Sequence, residues 1–223
     1  MLDLTTIKGR IVAAALRLAE ECPWDEITLV DIGEAAGVSL VDLRNTFNSK
    51  GDILAAFTRA VDDEVAVRAP KRAENQSSRD AIFEVVMSRF DILLPYKPAL
   101  KSIAASWPTD AALLSAVLSS QAWMLRAAGV SPDGIDGQLR VGGLAMLYVS
   151  VFRTWLDDDD PGLARTMAVL DRRLRRGERS LKSVDAAVST LRSVVSALTS
   201  RRKPAQPRNQ TPHAPEPPPE APV

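Results

Sequence analysis

Residues 28–54 read TLVDIGEAAGVSLVDLRNTFNSKGDIL and decide the fold, because three helix starts fall within this one stretch. Thr28, Ser39 and Ser49 are hydroxyl residues, each followed three positions later by an acid: Asp31, Asp42 and Asp52. A hydroxyl at an N-cap accepts from an amide of the first turn, while the acid reaches back toward the cap and favours the positive end of the helix dipole. The spacing therefore predicts three short, sharply bounded helices. Between the first two lies Ala35-Ala36-Gly37-Val38. Small residues permit close helix approach, and Gly37 can take the left-handed conformation that ends a helix, so a tight turn between crossed helices follows. Leu29, Ile32, Ala36, Val38, Leu40, Leu43 and Phe47 would share a core with Ile11, Ala15 and Leu18 of a preceding helix, leaving Val41, Asp42, Arg44, Asn45 and Thr46 partly outward.

This block resembles the DNA-binding domain of the TetR family of bacterial regulators. The likeness covers roughly Ile7 to Ala60 and rests on the AAGVS turn, Leu43, Phe47 and the Ser49-Lys50 start of the next helix. It implies a recognition helix over Ser39 to Phe47 and a phosphate contact by Lys50 at a helix N-terminus. The candidate DNA-binding residues are accordingly Ser39, Val41, Arg44, Asn45, Thr46 and Lys50. Arg44 stands where the family usually has tyrosine, and Val41 and Asp42 where a small residue and a threonine are common. Arginine suits phosphate or guanine, whereas Asp42 would face a polyanion unless it serves as a cap. Charge opposes the expectation: residues 1–60 hold six Lys/Arg and nine Asp/Glu, a net of minus three. Phosphate neutralisation supplies much of any protein's affinity for DNA, so such a head implies weak binding, a cluster of bases on one face, or no DNA binding at all.

The full chain has 223 residues, 46% of them hydrophobic, and a formal net charge of zero. That length supports a sizeable core in one or two domains. Attraction to a polyanion or a membrane must come from local asymmetry. A single cysteine, Cys22, excludes an intrachain disulfide. The sole histidine, His213, lies in the Pro-rich tail, so neither a histidine-based triad nor a metal site is expected. The Gly142-Gly143 pair lacks the spacing of a phosphate loop. No catalytic residue, cofactor or metal is therefore expected. With no signal peptide and no apolar stretch long enough to span a bilayer, a cytoplasmic protein is the expectation.

The rest of the chain also reads as helical, with helices expected near 5–21, 28–36, 40–46, 50–68, 79–94, 98–106, 109–128, 135–157, 161–177 and 181–200. Breaks fall at Pro23, Gly37, Pro70, Pro95, Pro98, Pro108, the Gly129 to Gly134 turn and the acidic run Asp157 to Asp160, where Asp160 would cap a helix with Pro161 in its first position. The fold class is all-α and TetR-like: a helix-turn-helix domain at 1–66, a helical ligand-binding and dimerisation domain at 67–180, an amphipathic helix at 181–202 and a tail at 203–223 expected to be disordered. Phe90, Trp107, Trp123, Met146, Tyr148, Phe152 and Trp155 supply bulky side chains that either line a pocket for a small apolar effector or simply fill the core. Gly142 and Gly143 suggest close backbone approach, to a neighbouring helix, a ligand or a second subunit.

A second likeness spans Trp123 through Leu174, which is similar to the C-terminal domain of the TetR-fold lipid-binding accessory proteins of ubiquinone biosynthesis. It rests on Ala128-Gly129, Arg140, Leu144-Ala145, Tyr148, the acidic turn before Pro161 and Leu170-Asp171-Arg172-Arg173, and departs at Gly137-Gln138-Leu139. It implies an alternative function, enclosure of an isoprenoid-type lipid without DNA binding. In residues 183–199, Val184, Ala187, Val188, Leu191, Val194, Val195 and Leu198 recur at helical spacing, and residues 171–208 carry eleven Lys/Arg against three acids. That helix suits a partner helix, the surface of an anionic membrane, or clamping of DNA by the arginines. The partners expected are thus an operator duplex, a small apolar effector, a second copy of the chain and a peripheral membrane contact. The leading function is a DNA-binding transcriptional regulator, a repressor by expectation.

Overall fold

A computed structural model describes residues 2–69, 72–106 and 111–178 of the chain. The first four helices are α1 (Ile7–Glu21), α2 (Leu29–Ala36), α3 (Leu40–Thr46) and α4 (Lys50–Arg68). Then follow α5 (Ser78–Leu93), a 3-10 turn (Leu94–Tyr96), α6 (Lys97–Ala105), α7 (Ala111–Ala127), α8 (Gly134–Leu156) and α9 (164–178). Among the described residues there is no strand, and no helix is long and apolar enough to cross a membrane. Trp107, the helix expected at 181–202 and the tail at 203–223 lie outside the described residues.

The caps fall where the sequence places them. Thr28 accepts from the Asp31 amide at 3.2 Å and its own amide donates to the Asp31 carboxylate at 2.8 Å, a complete capping box. The Thr28 hydroxyl and amide together hold the Asp31 carboxyl below its ordinary range. Ser39 and Ser49 accept from the Asp42 and Asp52 amides at 3.1 and 3.0 Å. Gly37 ends α2 at φ 62°, ψ 41°, a left-handed conformation that costs glycine nothing and a side-chain-bearing residue about 1 kcal/mol or more.

Ile11, Ala15, Ile32, Leu43 and Phe47 form the buried centre of the first three helices, with Leu18, Leu29, Ala36 and Val38 packed against it. Leu40 departs from the expected core, being 57% exposed. It is the first residue of α3, and the neighbour it meets on α2 is Gly33, where a Cβ would lie 3.9 Å from its Cδ2, so no side chain covers it. The helix α4 leaves this core unbroken and packs along α7, while α6 packs against α1, within a compact unit spanning Met1–Arg179. Phe90, Trp155, Val86, Val151 and Leu170 are fully enclosed in the body of the molecule.

The acidic run before α9 corrects another expectation. Pro161 is not in the first helical turn, because the Asp160 carboxylate accepts from the amides of both Gly162 and Ala164 at 3.1 Å and folds Pro161-Gly162 into a turn. Asp160 still caps α9, which begins at residue 164. Asp158 caps the same helix from further back, its carboxylate taking the Thr166 amide at 2.8 Å and hydroxyl at 2.6 Å. Burial opposes the Asp158 charge, but these bonds, the Asp160 amide and nearby Lys97 outweigh it and hold the carboxyl below its ordinary range. A lowered folded value means that the stabilisation is complete above the unfolded pKa, near pH 4, and is lost as pH falls through the folded value. The variant D158N is expected to melt earlier than wild type at neutral pH, with the gap closing below about pH 4. A gap in melting temperature that is constant from pH 7 to pH 3 contradicts this account of the joint.

Candidate nucleic-acid interface and adjoining cavity

The short helix α3 presents one free face. Its stripe Leu43 and Phe47 is buried, which turns Val41, Asp42, Arg44 and Asn45 outward to solvent. Arg44 and Asn45 have no side-chain partner among the described residues. Val41 is 67% exposed and Leu40 beside it 57%, an apolar pair at the start of the helix. In a major groove, arginine pairs with the O6 and N7 edge of guanine, asparagine with that of adenine, and an apolar side chain meets the thymine methyl. Leu40 is exposed at the start of this helix although the sequence pattern sets it inside.

The other expected contacts are engaged locally. Ser39 spends its hydroxyl on the cap, donating to the Asp42 carboxylate at 2.7 Å, so Asp42 is a capping acid that the helix N-terminus favours. Thr46, half-buried, donates back to the Asp42 carbonyl at 2.7 Å. Lys50 reaches inward from the start of α4: its Nζ donates to the carbonyls of Trp24 at 2.6 Å and Ile27 at 2.7 Å and lies 4.8 Å from the centre of the Trp24 ring. Burial draws the Lys50 amine below its ordinary value, opposed by Asp25. Lys50 therefore clamps the α1–α2 segment to α4 through two of its three N–H groups.

Behind this head, α4, α5, α6, α7 and α8 line a partly open cavity of about 120 Å³, walled by apolar side chains such as Leu54, Val61, Ile103 and Val117. Its polar end is a buried network. Arg89 of α5 pairs with Asp62 of α4 and donates through Nε to the Tyr148 oxygen on α8 at 3.1 Å. Ser120 of α7 donates to the same Asp62 carboxylate at 2.6 Å. Burial works against the Arg89 charge, but Tyr148 and Asp62 outweigh it and keep the guanidinium ionised. Burial likewise raises the Tyr148 phenol, partly offset by Arg89, so the hydroxyl stays protonated.

Of the seven aromatic and methionine residues expected at a ligand site, Tyr148 and Phe152 line this cavity. Phe90 and Trp155 stand behind them in a stack whose ring centres are 5.3 to 5.9 Å apart. Trp123 and Met146 are on the outside, 54% and 80% exposed. Arg89, Asp62, Ser120 and Gln121 were missed. Ser120 and Gln121, two polar residues inside the apolar run of α7, were the available signal. Asp62 and Arg89 sit on separate helices with no local pattern to link them.

A second surface runs along α8, where Ile135, Leu139 and Met146 are exposed at helical spacing around Gly142 and Gly143. A Cβ built on either glycine meets no described atom within 4 Å, so neither a helix of this chain nor the cavity accounts for them among the described residues.

The order of helices, the tight α2–α3 turn and the long α4 leading into a helical body together identify the architecture. The fold is that of the TetR transcriptional regulators. A TetR transcriptional regulator from Nitrosomonas europaea ATCC 19718 is 21% identical, over 77% of this chain and 97% of that one, with a TM-score of 0.58. One from Rhodococcus sp. RHA1 is 22% identical over 74% and 92%, with the same TM-score. A TetR-family transcriptional regulator from Streptomyces coelicolor is 20% identical over 88% and 92%, with a TM-score of 0.52. No protein-family model and no curated protein matches the sequence. Within the TetR fold the free face of α3 falls on the helix-turn-helix unit, and the cavity lies in the helical body behind it.

Proposed function

We propose that the chain is a homodimeric, DNA-binding transcriptional regulator, a repressor that responds to a small apolar effector. The observation that carries this reading is the α2–Gly37–α3 unit holding Arg44, Asn45, Val41 and Leu40 free at the surface of a TetR fold. Asp31, Asp42 and Asp52 each belong to a helix cap, so three of the nine acids in residues 1–60 offset helix dipoles within the head. This softens the acidic balance that opposes phosphate binding.

The α3 helix enters the major groove, and a second subunit supplies a half-site about one helical turn away. The α8 face, apolar and open at Gly142-Gly143, is the surface for that second copy. The cavity supplies the response, since its walls reach both connections to the head. One is α4 itself. The other is α6, whose Ser102 hydroxyl donates to the Cys22 carbonyl and accepts from the Trp24 amide, both at 3.1 Å. An effector that binds one arrangement of these helices better than another shifts the spacing of the two heads.

Selection from a random duplex library with the purified full chain tests the proposal. It is expected to return a two-fold symmetric sequence bound by two chains, and recovery of no shared sequence counts against it. The dimer surface is tested with G143E. Open space in the chain and the poor helix propensity of glycine keep the fold intact or slightly firmer, while an unpaired charge splits the dimer. Sedimentation is expected to show a folded monomer, and a G143E variant that sediments as a dimer moves the interface elsewhere.

A further inference from the structure

The polar end of the cavity holds one atom that the protein leaves without a partner. Gln121 is 1% exposed and lines the cavity, and its Oε1 has no hydrogen-bond donor among the described residues. Its nitrogen donates to the Val117 carbonyl at 3.3 Å, which fixes the amide: turning it over would set two acceptors against each other. A buried acceptor left unpaired is disfavoured, and native structures retain few of them. No neighbouring donor reaches it: Ser120 gives its proton to Asp62, and Arg89 turns Nε to Tyr148 and Nη1 to Asp62.

We propose that the cavity binds a neutral, mainly apolar molecule of about the size of a phenol, carrying a single hydroxyl that donates to Gln121 Oε1. The volume sets the scale, since a cavity of roughly 150 Å³ takes a benzene ring and this pocket, about 120 Å³ and partly open to solvent, has room for no more than one ring with a small substituent reaching the opening. Asp62 and Arg89 set the charge: they neutralise each other, so the site offers no unmatched ion to an ionic ligand. Gln121 sets the polarity at its own position, where an unpaired acceptor rewards a hydroxyl and disfavours a carboxylate or carbonyl. The same contact gives such a ligand a route to the head. Ser120 is the adjacent residue of α7 and its bond to Asp62 holds α4, so a ligand seated on Gln121 acts beside the joint between α7 and the helix that leads from the head into the body.

This assignment deepens the effector part of the regulator reading and rests on that reading for its role. Calorimetry on the full chain without DNA, with phenol and toluene as probes, separates the two. The structure predicts that phenol binds at least about tenfold more tightly than toluene, since a site built for a hydroxyl rejects the analogue that lacks it. Q121L is expected to erase or invert that preference while α7 remains folded. Equal affinities in the wild-type chain, no binding of either probe, or a preference that survives Q121L would each overturn the assignment. The comparison of the two probes in wild type stands even if the variant fails to fold. Phenol selectivity in a chain that binds no duplex would retain the cavity assignment and remove the regulator reading instead.

Discussion

Replacing Asp62 by alanine is expected to lower folding stability by about 3–5 kcal/mol, the usual cost of stranding one member of a buried ion pair. Arg89 is 4% exposed and its side chain is held by Asp62 and Tyr148, so D62A leaves a guanidinium in an apolar interior with one uncharged partner. The Ser120 hydroxyl loses its acceptor in the same step. Few other single contacts in the molecule carry a comparable penalty. The pairs Arg68–Glu64 and Arg175–Asp171 have half-exposed arginines and belong to the class worth about 0–1 kcal/mol. Urea denaturation of D62A beside D62N and the double variant D62L/R89M checks the cause. The double replacement removes both charges and is expected to recover most of the loss, as buried pairs exchanged for apolar residues generally do. A D62A midpoint within about 1 kcal/mol of wild type would show that the pair is solvated and does not close the cavity.

The second large effect is on DNA. Substituting Arg44 and Asn45 together by alanine is expected to abolish selective binding, because each bidentate base contact is worth about 1–3 kcal/mol of discrimination. Residual affinity should be the same for specific and scrambled duplexes. Fold stability should change little, as both residues are exposed. Lys50 behaves differently. Its ammonium binds two carbonyls across the joint between the α1–α2 segment and α4, so K50A is expected to lower both the melting temperature and the salt dependence of binding. Retained selectivity in the Arg44/Asn45 variant would place base recognition on another surface.

These two effects sit at opposite ends of what the sequence makes visible. The reading head was legible because its rules are local. A hydroxyl and an acid three residues apart specify a cap, and Gly37 between two such caps specifies the turn, so α2, α3 and α4 begin where the pattern puts them. Leu40 was misplaced for a non-local reason: periodicity shows which side of α3 is apolar, but not that glycine faces its first turn. Pro161 was misplaced because two carboxylates, Asp158 and Asp160, compete to begin the same helix, and the bonds made by the second postpone it by three residues. The cavity was the least legible part. Aromatic content pointed to the right region, yet Tyr148 and Phe152 line the space while Phe90 and Trp155 pack behind them, a division set by tertiary packing alone. The ionic centre joins α4, α5, α7 and α8 across long sequence separations and leaves no motif in the chain.

Fluorescence anisotropy of labelled DNA from the region upstream of the protein's own coding sequence, titrated with the full chain at two salt concentrations beside a scrambled duplex, tests the central claim most directly. The account predicts tight binding to the upstream duplex alone, weakening as salt rises in proportion to the phosphates contacted. Binding to neither duplex, or to both equally, would contradict it.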